Sequence, residues 1–227
     1  MSWRDWVRGV EIEPSIYAAD FADLGEQLVR LIDAGARIFQ FDIGDGHFVE
    51  PITIGPIVIE SIAPLVHGRG GVLDCHLMVD NPERHIRQVA QAGGDSVTFH
   101  LEASAEPAGT AELAREHGLG VGLAFNPGTA VEEAAAAAIE AGADLVLCMS
   151  IHPGYSGQGF LPESYERIRR LRGLLPEHVY VQVDGGVNLE NASGVRHAGA
   201  ELLVAGSAVF GPDDVAGAYT DLVRAVS

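Results

Sequence analysis

A single (β/α)8 barrel, an α/β fold of one domain over residues 1–227, is the architecture this sequence predicts, and three observations carry it. A length of 227 residues suits one such barrel better than two ordinary domains. Four segments, LIDAGARIFQFD, VAQAGGDSVTFH, AIEAGADLVLCM and VRHAGAELLVAG, each run from an amphipathic helix through Ala-Gly into an apolar strand. No linker or low-complexity break separates these alternations, so they belong to one unit.

Along the chain, strands are predicted near Val10–Ser15, Ile38–Asp42, Val72–His76, Ser96–His100, Val121–Phe125, Leu145–Met149, Val179–Val183 and Leu202–Ala205. Most are short apolar runs without clean alternation, as expected when both faces of a parallel strand are buried. Gly35, Gly93, Gly142 and Gly199 are read as helix C-caps, where glycine adopts the left-handed conformation that turns the chain into the next strand. A helix over Phe21–Ala34 carries Phe21, Leu24, Leu28, Leu31 and Ile32 at helical spacing. Another, Glu83–Ala92, follows the capped start Asn81-Pro82, and the alanine run after Glu133 falls within a third.

Composition narrows the function classes. A formal charge of −18 argues against nucleic acid, whose backbone is bound by clustered cations. All 14 basic residues are arginine; with no lysine, side-chain Schiff-base chemistry is excluded. No stretch approaches the ~20 apolar residues of a membrane span, and the start MSWRDWVRGVEIEP lacks a signal-peptide pattern, so a cytoplasmic enzyme is expected. Cys75 and Cys148 lie in apolar segments and read as reduced core residues rather than a disulfide.

Such barrels build their active sites at the C-terminal ends of the strands. Here those ends carry Ser15, Asp42, His76, His100, Met149 and Asp184. Two carboxylates and an imidazole from different strands suit a divalent ion and acid/base chemistry. An acidic, lysine-free chain has few side chains for an anion, so backbone amides are expected to bind any phosphate. Gly154-Tyr155-Ser156-Gly157, Gly185-Gly186 and Gly206-Ser207 follow the sixth, seventh and eighth strands, where barrels of this kind hold phosphate.

The segments PSIYAADF, FDIGDGHFVEPITIGP, LDCHLMVDNPERHI, FHLEA, FNPGT, MSIHPGYSGQGF, VDGGVN and VAGSAVFG are each similar to segments of ribulose-phosphate 3-epimerases, in the same order from about Glu13 to Gly211. The resemblance implies a phosphorylated ketose substrate and Asp42 and Asp184 as the acid/base pair on opposite faces of carbon 3. It implies Asp42, His76 and Asp184 as ligands of a divalent ion (Zn, Mn, Fe or Mg), substrate contacts from Ser15 and His76, and Met78 and Met149 lining the pocket. A homo-oligomer is also implied.

Four positions depart from the family pattern. Gln40 stands where the family has its first histidine ligand, two residues before Asp42; a neutral amide oxygen is the weaker ligand and shifts preference toward Mg²⁺ or Mn²⁺. Gly44 replaces a methionine and is expected to open space, while Tyr17 replaces a smaller aliphatic residue and adds a hydroxyl. His152, where the family has Asn or Glu, is read as a loop histidine. These departures leave three functional readings open: epimerisation of ribulose 5-phosphate, epimerisation of another pentulose or hexulose phosphate, and a metal-free phosphosugar-binding homologue. A decarboxylase or aldolase-like synthase on a related barrel is disfavoured, because those relatives use a lysine that this chain lacks.

Overall fold

The computed structural model describes residues 2–154 and 158–227. Eight parallel strands form the barrel: β1 (Glu11–Pro14), β2 (Ile38–Gly44), β3 (Val72–Met78), β4 (Ser96–His100), β5 (Gly120–Phe125), β6 (Leu145–Met149), β7 (Tyr180–Asp184) and β8 (Leu202–Ala205). From β2 to β8 each strand is hydrogen-bonded to the next in sequence, and β8 to β1. The remaining seam, β1 beside β2, carries a parallel bridge between Ser15 and Gln40. All eight predicted strands are present. β2 and β3 run two residues past their predicted ends because their ladder stays in register to the Gly44–Met78 pair, beyond the apolar run that marks them in the sequence.

The helices are α1 (Trp3–Trp6), α2 (Leu24–Asp33), α3 (Pro56–His67), α4 (Glu83–Ala92), α5 (Pro107–Glu116), α6 (Val131–Ala141), α7 (Ser164–Leu174), α8 (Ala192–Ala198), α9 (Ser207–Phe210) and α10 (Val215–Val226). The helix expected from Phe21 starts only at Leu24, since Asp20 turns the chain there by accepting from the Ala22 and Asp23 amides. Gly35, Gly93, Gly142 and Gly199 all have positive φ, from 62° to 116°, as helix-ending glycines should.

Apolar residues fill two regions. The larger lies between strands and helices and includes Leu28, Leu31, Phe39, Phe41, Ile59, Ile86 and Phe99. The smaller includes Leu145, Leu147, Leu202 and Ile38, packed with Trp3 and Trp6, whose rings meet edge to face with centroids 5.1 Å apart. The short helix that carries these tryptophans was not foreseen: four residues give no helical period to detect. Cys75 and Cys148 are free and buried. Among the described residues, no helix is long and apolar enough to cross a membrane.

A layer of buried polar side chains also forms a network across the barrel. Gln182 donates from Nε2 to Glu13 Oε2 (2.5 Å) and to Asp74 Oδ2 (2.9 Å), and the Ser96 hydroxyl donates to Asp74 Oδ1 (2.7 Å). Burial, then mutual repulsion, pushes the Glu13 carboxyl well above the usual carboxylate range, and burial raises Asp74. Glu13, Asp74 and Gln182 each precede by two residues a polar residue at a strand end: Ser15, His76 and Asp184. Side chains two apart share a strand face, so this layer and the strand-end cluster project from the same faces of β1, β3 and β7.

Candidate active site

Asp42, near the end of β2, is approached from three sides. Gln40 Nε2 donates to its Oδ1 at 2.5 Å, His76 Nδ1 lies 2.9 Å from the same oxygen, and the Ser15 hydroxyl donates to Oδ2 at 2.9 Å. Gln40 shares a strand face with Asp42, His76 is its register partner on β3, and Ser15 reaches it across the closing seam. The strand end is fixed from outside by Thr53, whose hydroxyl donates to the Asp42 carbonyl and accepts from the Gly44 amide.

Asp184 ends β7, with Oδ2 3.8 Å from His76 Nδ1. Burial and the nearby Asp42 charge push its carboxyl up to about 7, with His76 pulling the other way. Burial alone would lower His76, but the hydrogen bond and charge of Asp42, joined by Asp184, raise it above its ordinary value. Ser150 donates to the Asp184 and Gly185 carbonyls at 2.9 and 2.7 Å and holds this strand end in place.

One ligand-capable atom from each of Asp42, His76 and Asp184 lies within 4.8 Å of the others. Donors at the usual ~2.1 Å from a zinc-sized ion are at most about 4.2 Å apart, and the 2.9 and 3.8 Å separations of the two carboxylates from His76 Nδ1 fall inside that limit. Gln40 adds a second sign of fit, because its Oε1 is buried with no hydrogen-bond partner. Rotating the amide by half a turn would put this oxygen where Nε2 now faces Asp42 Oδ1 and His76 Nδ1. These residues therefore fit a divalent ion.

A cleft opens over the cluster, its lining including Ser15, Tyr17, Asp42, Met78, Met149 and Asp184 together with Gly154, Gly185, Gly186, Gly206 and Ser207. It thus brings the acid/base candidates and three glycine loops together. Gly185 and Gly186 have φ of 122° and 67°, and a Cβ on Gly186 would lie 2.6 Å from the Phe160 amide nitrogen, so both the conformation and the packing require glycine. Tyr155, Ser156 and Gly157 lie outside the described residues.

Gly44 does not open space. A Cβ there would lie 2.9 Å from Val49 Cγ2, 3.0 Å from the Pro51 carbonyl oxygen and 3.1 Å from Thr53 Cγ2, and the residue is not on the cleft wall. The loop after β2 has closed over the position a side chain would take. His152 is exposed, and its carbonyl accepts from Gln158 Nε2, in keeping with a loop residue.

Beyond Asp42 the cluster continues into residues whose connection the sequence did not reveal. His76 Nε2 is 2.8 Å from His100 Nε2, and His100 Nδ1 is 3.3 Å from Glu102 Oε2. Glu102 Oε1 accepts from the Asn126 amide at 2.8 Å and from the Thr129 hydroxyl. The FHLEA segment held the signal: a histidine and a carboxylate two residues apart, just past a strand end.

Fold and site together define a (β/α)8-barrel enzyme class in which paired carboxylates and a metal-capable cluster face glycine-rich loops suited to an anion. The family model of the ribulose-phosphate 3 epimerase family matches residues 11–210, and the chain belongs to that family. It is 39% identical to ribulose-phosphate 3-epimerase 1 of Cupriavidus necator over 223 residues, covering 95% of this chain and 90% of that protein. It is 39% identical to the Escherichia coli enzyme over 89% of this chain and 90% of that protein, and to the Bacillus subtilis enzyme over 90% and 94%. Among solved structures, 3-hexulose-6-phosphate synthase aligns with a TM-score of 0.73 at 22% identity, covering 96% of this chain and all of that one. Orotidine 5'-phosphate decarboxylase of Pyrococcus horikoshii aligns at 0.70 and 14%, covering 95% and 98%. At such identities these structures speak to the fold alone.

Proposed function

We propose that this chain is a metal-dependent ketose-phosphate 3-epimerase that interconverts D-ribulose 5-phosphate and D-xylulose 5-phosphate, its single barrel serving as the phosphosugar-binding domain. The observation that carries this reading is the placement of Asp42 and Asp184 on separate strands, β2 and β7, beside His76 and in one cleft with the glycine loops.

The ketose sits with carbon 3 between the two carboxyl groups. One removes the C3 proton as general base; the other delivers a proton to the opposite face of the planar enediolate, and the stereocentre inverts. Burial and the Asp42 charge raise the Asp184 carboxyl above the usual carboxylate range, which favours its carrying a proton. The Ser15 hydroxyl holds Asp42 Oδ2 in place. A divalent ion held by Asp42, His76 and Asp184, with Gln40 Oε1 as a further donor, would stabilise the negative charge developing on the C2 and C3 oxygens. The amides of Gly185-Gly186 and Gly206-Ser207 receive the phosphate, joined in this reading by those of Gly154 to Gly157. Tyr17, Met78 and Met149 shape the sugar pocket, and the neutral Gln40 ligand favours Mn²⁺ or Mg²⁺ over Zn²⁺. The homo-oligomeric state and cytoplasmic location implied by the family belong to this reading.

The test is deuterium uptake at carbon 3 of ribulose 5-phosphate, followed by NMR with and without chelator and with added Zn²⁺, Mn²⁺ or Mg²⁺. Metal-dependent exchange with formation of xylulose 5-phosphate supports the proposal; exchange only with another ketose phosphate would move the substrate and keep the chemistry. One observation favours a second reading, a metal-free phosphosugar-binding protein: the Gln40 amide nitrogen already sits against two of the three ligand groups. Phosphosugar binding that is unaffected by chelator, without exchange, would select it.

A further inference from the structure

We propose that Glu102, acting through His100, fixes the tautomer of His76 so that the Nδ1 lone pair of His76 faces Asp42 and Asp184. Glu102 and His100 are then positioning residues for the site. The inference deepens the metal-dependent reading and rests on it for the use to which the lone pair is put.

The argument is one of donor and acceptor counting. Glu102 Oε1 is occupied by two donors, the Asn126 amide and the Thr129 hydroxyl. Its other oxygen, Oε2, faces His100 Nδ1 at 3.3 Å, and a carboxylate oxygen can only accept, so His100 carries its proton on Nδ1. The opposite nitrogen, Nε2, is then a bare acceptor. It lies 2.8 Å from His76 Nε2, which must therefore be the donor. With its proton on Nε2, neutral His76 has its lone pair on Nδ1, 2.9 Å from Asp42 Oδ1 and 3.8 Å from Asp184 Oδ2. Two acceptors 2.9 Å apart repel unless a positive centre lies between them: a second proton on Nδ1, or a cation that takes that proton's place.

The rings have little freedom to escape this assignment. His76 and His100 are fully buried, stacked with centroids 5.0 Å apart at 27°, and Phe48 covers His100 at 4.7 Å. Glu102 is partly exposed, at 26% of its side chain, and stands at the outer end of the chain of contacts. It sits in the turn just after β4, while its two donors come from the loop after β5, so two adjacent strands set its orientation.

Glu102→Gln reverses the chain without changing its shape. The two donors on Oε1 require an oxygen, which the amide supplies there, and the amide nitrogen is then turned toward His100 Nδ1. That nitrogen donates, so His100 moves its proton to Nε2, His76 must accept on Nε2, and its proton appears on Nδ1. Metal affinity should fall by roughly 10–100-fold, the usual effect of losing an outer partner of a ligand histidine.

Two measurements test this. Long-range ¹⁵N–¹H NMR of the histidines in the metal-free wild type should show His100 protonated at Nδ1 and bare at Nε2, and the reverse in E102Q. Competition with a chromophoric chelator, using Mn²⁺ and Zn²⁺ alone, should show the affinity loss. A wild-type His100 protonated on Nε2 would overturn the proposal, and it needs no variant to fold. Equal metal affinity of wild type and E102Q, within twofold, would overturn it as well. If neither protein binds metal while the His100 tautomers reverse as stated, the metal-dependent reading fails and the tautomer relay stands.

Discussion

The side chain of Gln40 donates to Asp42 at 2.5 Å while its own carbonyl oxygen is buried without a partner. An amide in this position has its better ligand atom turned away from the cluster, and rotation alone would bring it in. Gln40→His replaces it with a stronger donor for zinc-like ions, so Zn²⁺ affinity should rise by about tenfold or more relative to Mg²⁺. Gln40→Leu should lower affinity for every divalent ion. Chelator competition across Zn²⁺, Mn²⁺ and Mg²⁺ reads both outcomes; a Gln40→Leu protein with unchanged affinity would remove Gln40 from the site.

Asp184→Asn keeps the shape of the strand end and the hydrogen bonds from Ser150 to its backbone, while removing a proton carrier. Turnover should drop by roughly 10²–10⁴-fold, the usual contribution of a positioned acid or base. The melting temperature should not fall, because a buried carboxyl is replaced by a neutral group. Steady-state kinetics and thermal melts check the two halves separately.

Buried Glu13 sets a pH dependence of stability. Its carboxyl is held well above its ordinary 4.5, so between 4.5 and that raised value the folded chain keeps a proton that the unfolded chain has lost. The stabilisation is fully present below about pH 4.5 and is lost as pH rises through the folded value, by up to about 1.4 kcal/mol per pH unit. Glu13→Gln retains an acceptor for Gln182, removes this slope and should stabilise the protein more at pH 8 than at pH 5. Urea unfolding at pH 5 and pH 8 measures the difference, and an equal effect of the mutation at both would contradict it.

Gly186→Ala puts a Cβ 2.6 Å from the Phe160 nitrogen at φ 67°. If about 1–2 kcal/mol of that strain falls on the bound state, KM for the phosphorylated ketose rises roughly tenfold while kcat changes little. A phosphate-free ketose, which does not use the loop, should show no such rise.

The strands and their order were legible because βα repetition is local: each Ala-Gly stop marks where a helix gives way to a strand, and Gly93, Gly142 and Gly199 cap helices in the structure. The cleft was legible for the same reason, since Asp42, His76 and Asp184 each sit at or near a strand end. What escaped were contacts between distant segments. Nothing local links Gln182 to Glu13, or marks Gly44 as covered by Val49, because both depend on how the barrel curls and where a loop folds back. The chain from His76 to Glu102 escaped because each residue has an ordinary reading alone and gains its role only from a neighbour on another strand.

The Ser15–Gln40 bridge seals the barrel, and the same two residues hold the two oxygens of Asp42. Circular closure and a competent site are therefore a single event. A newly made chain that has laid down seven seams but not the eighth is a curled sheet whose Asp42 lacks Ser15, so ligands that recognise the finished cluster also report that the ring has shut. Binding at this site doubles as an inspection of the weld.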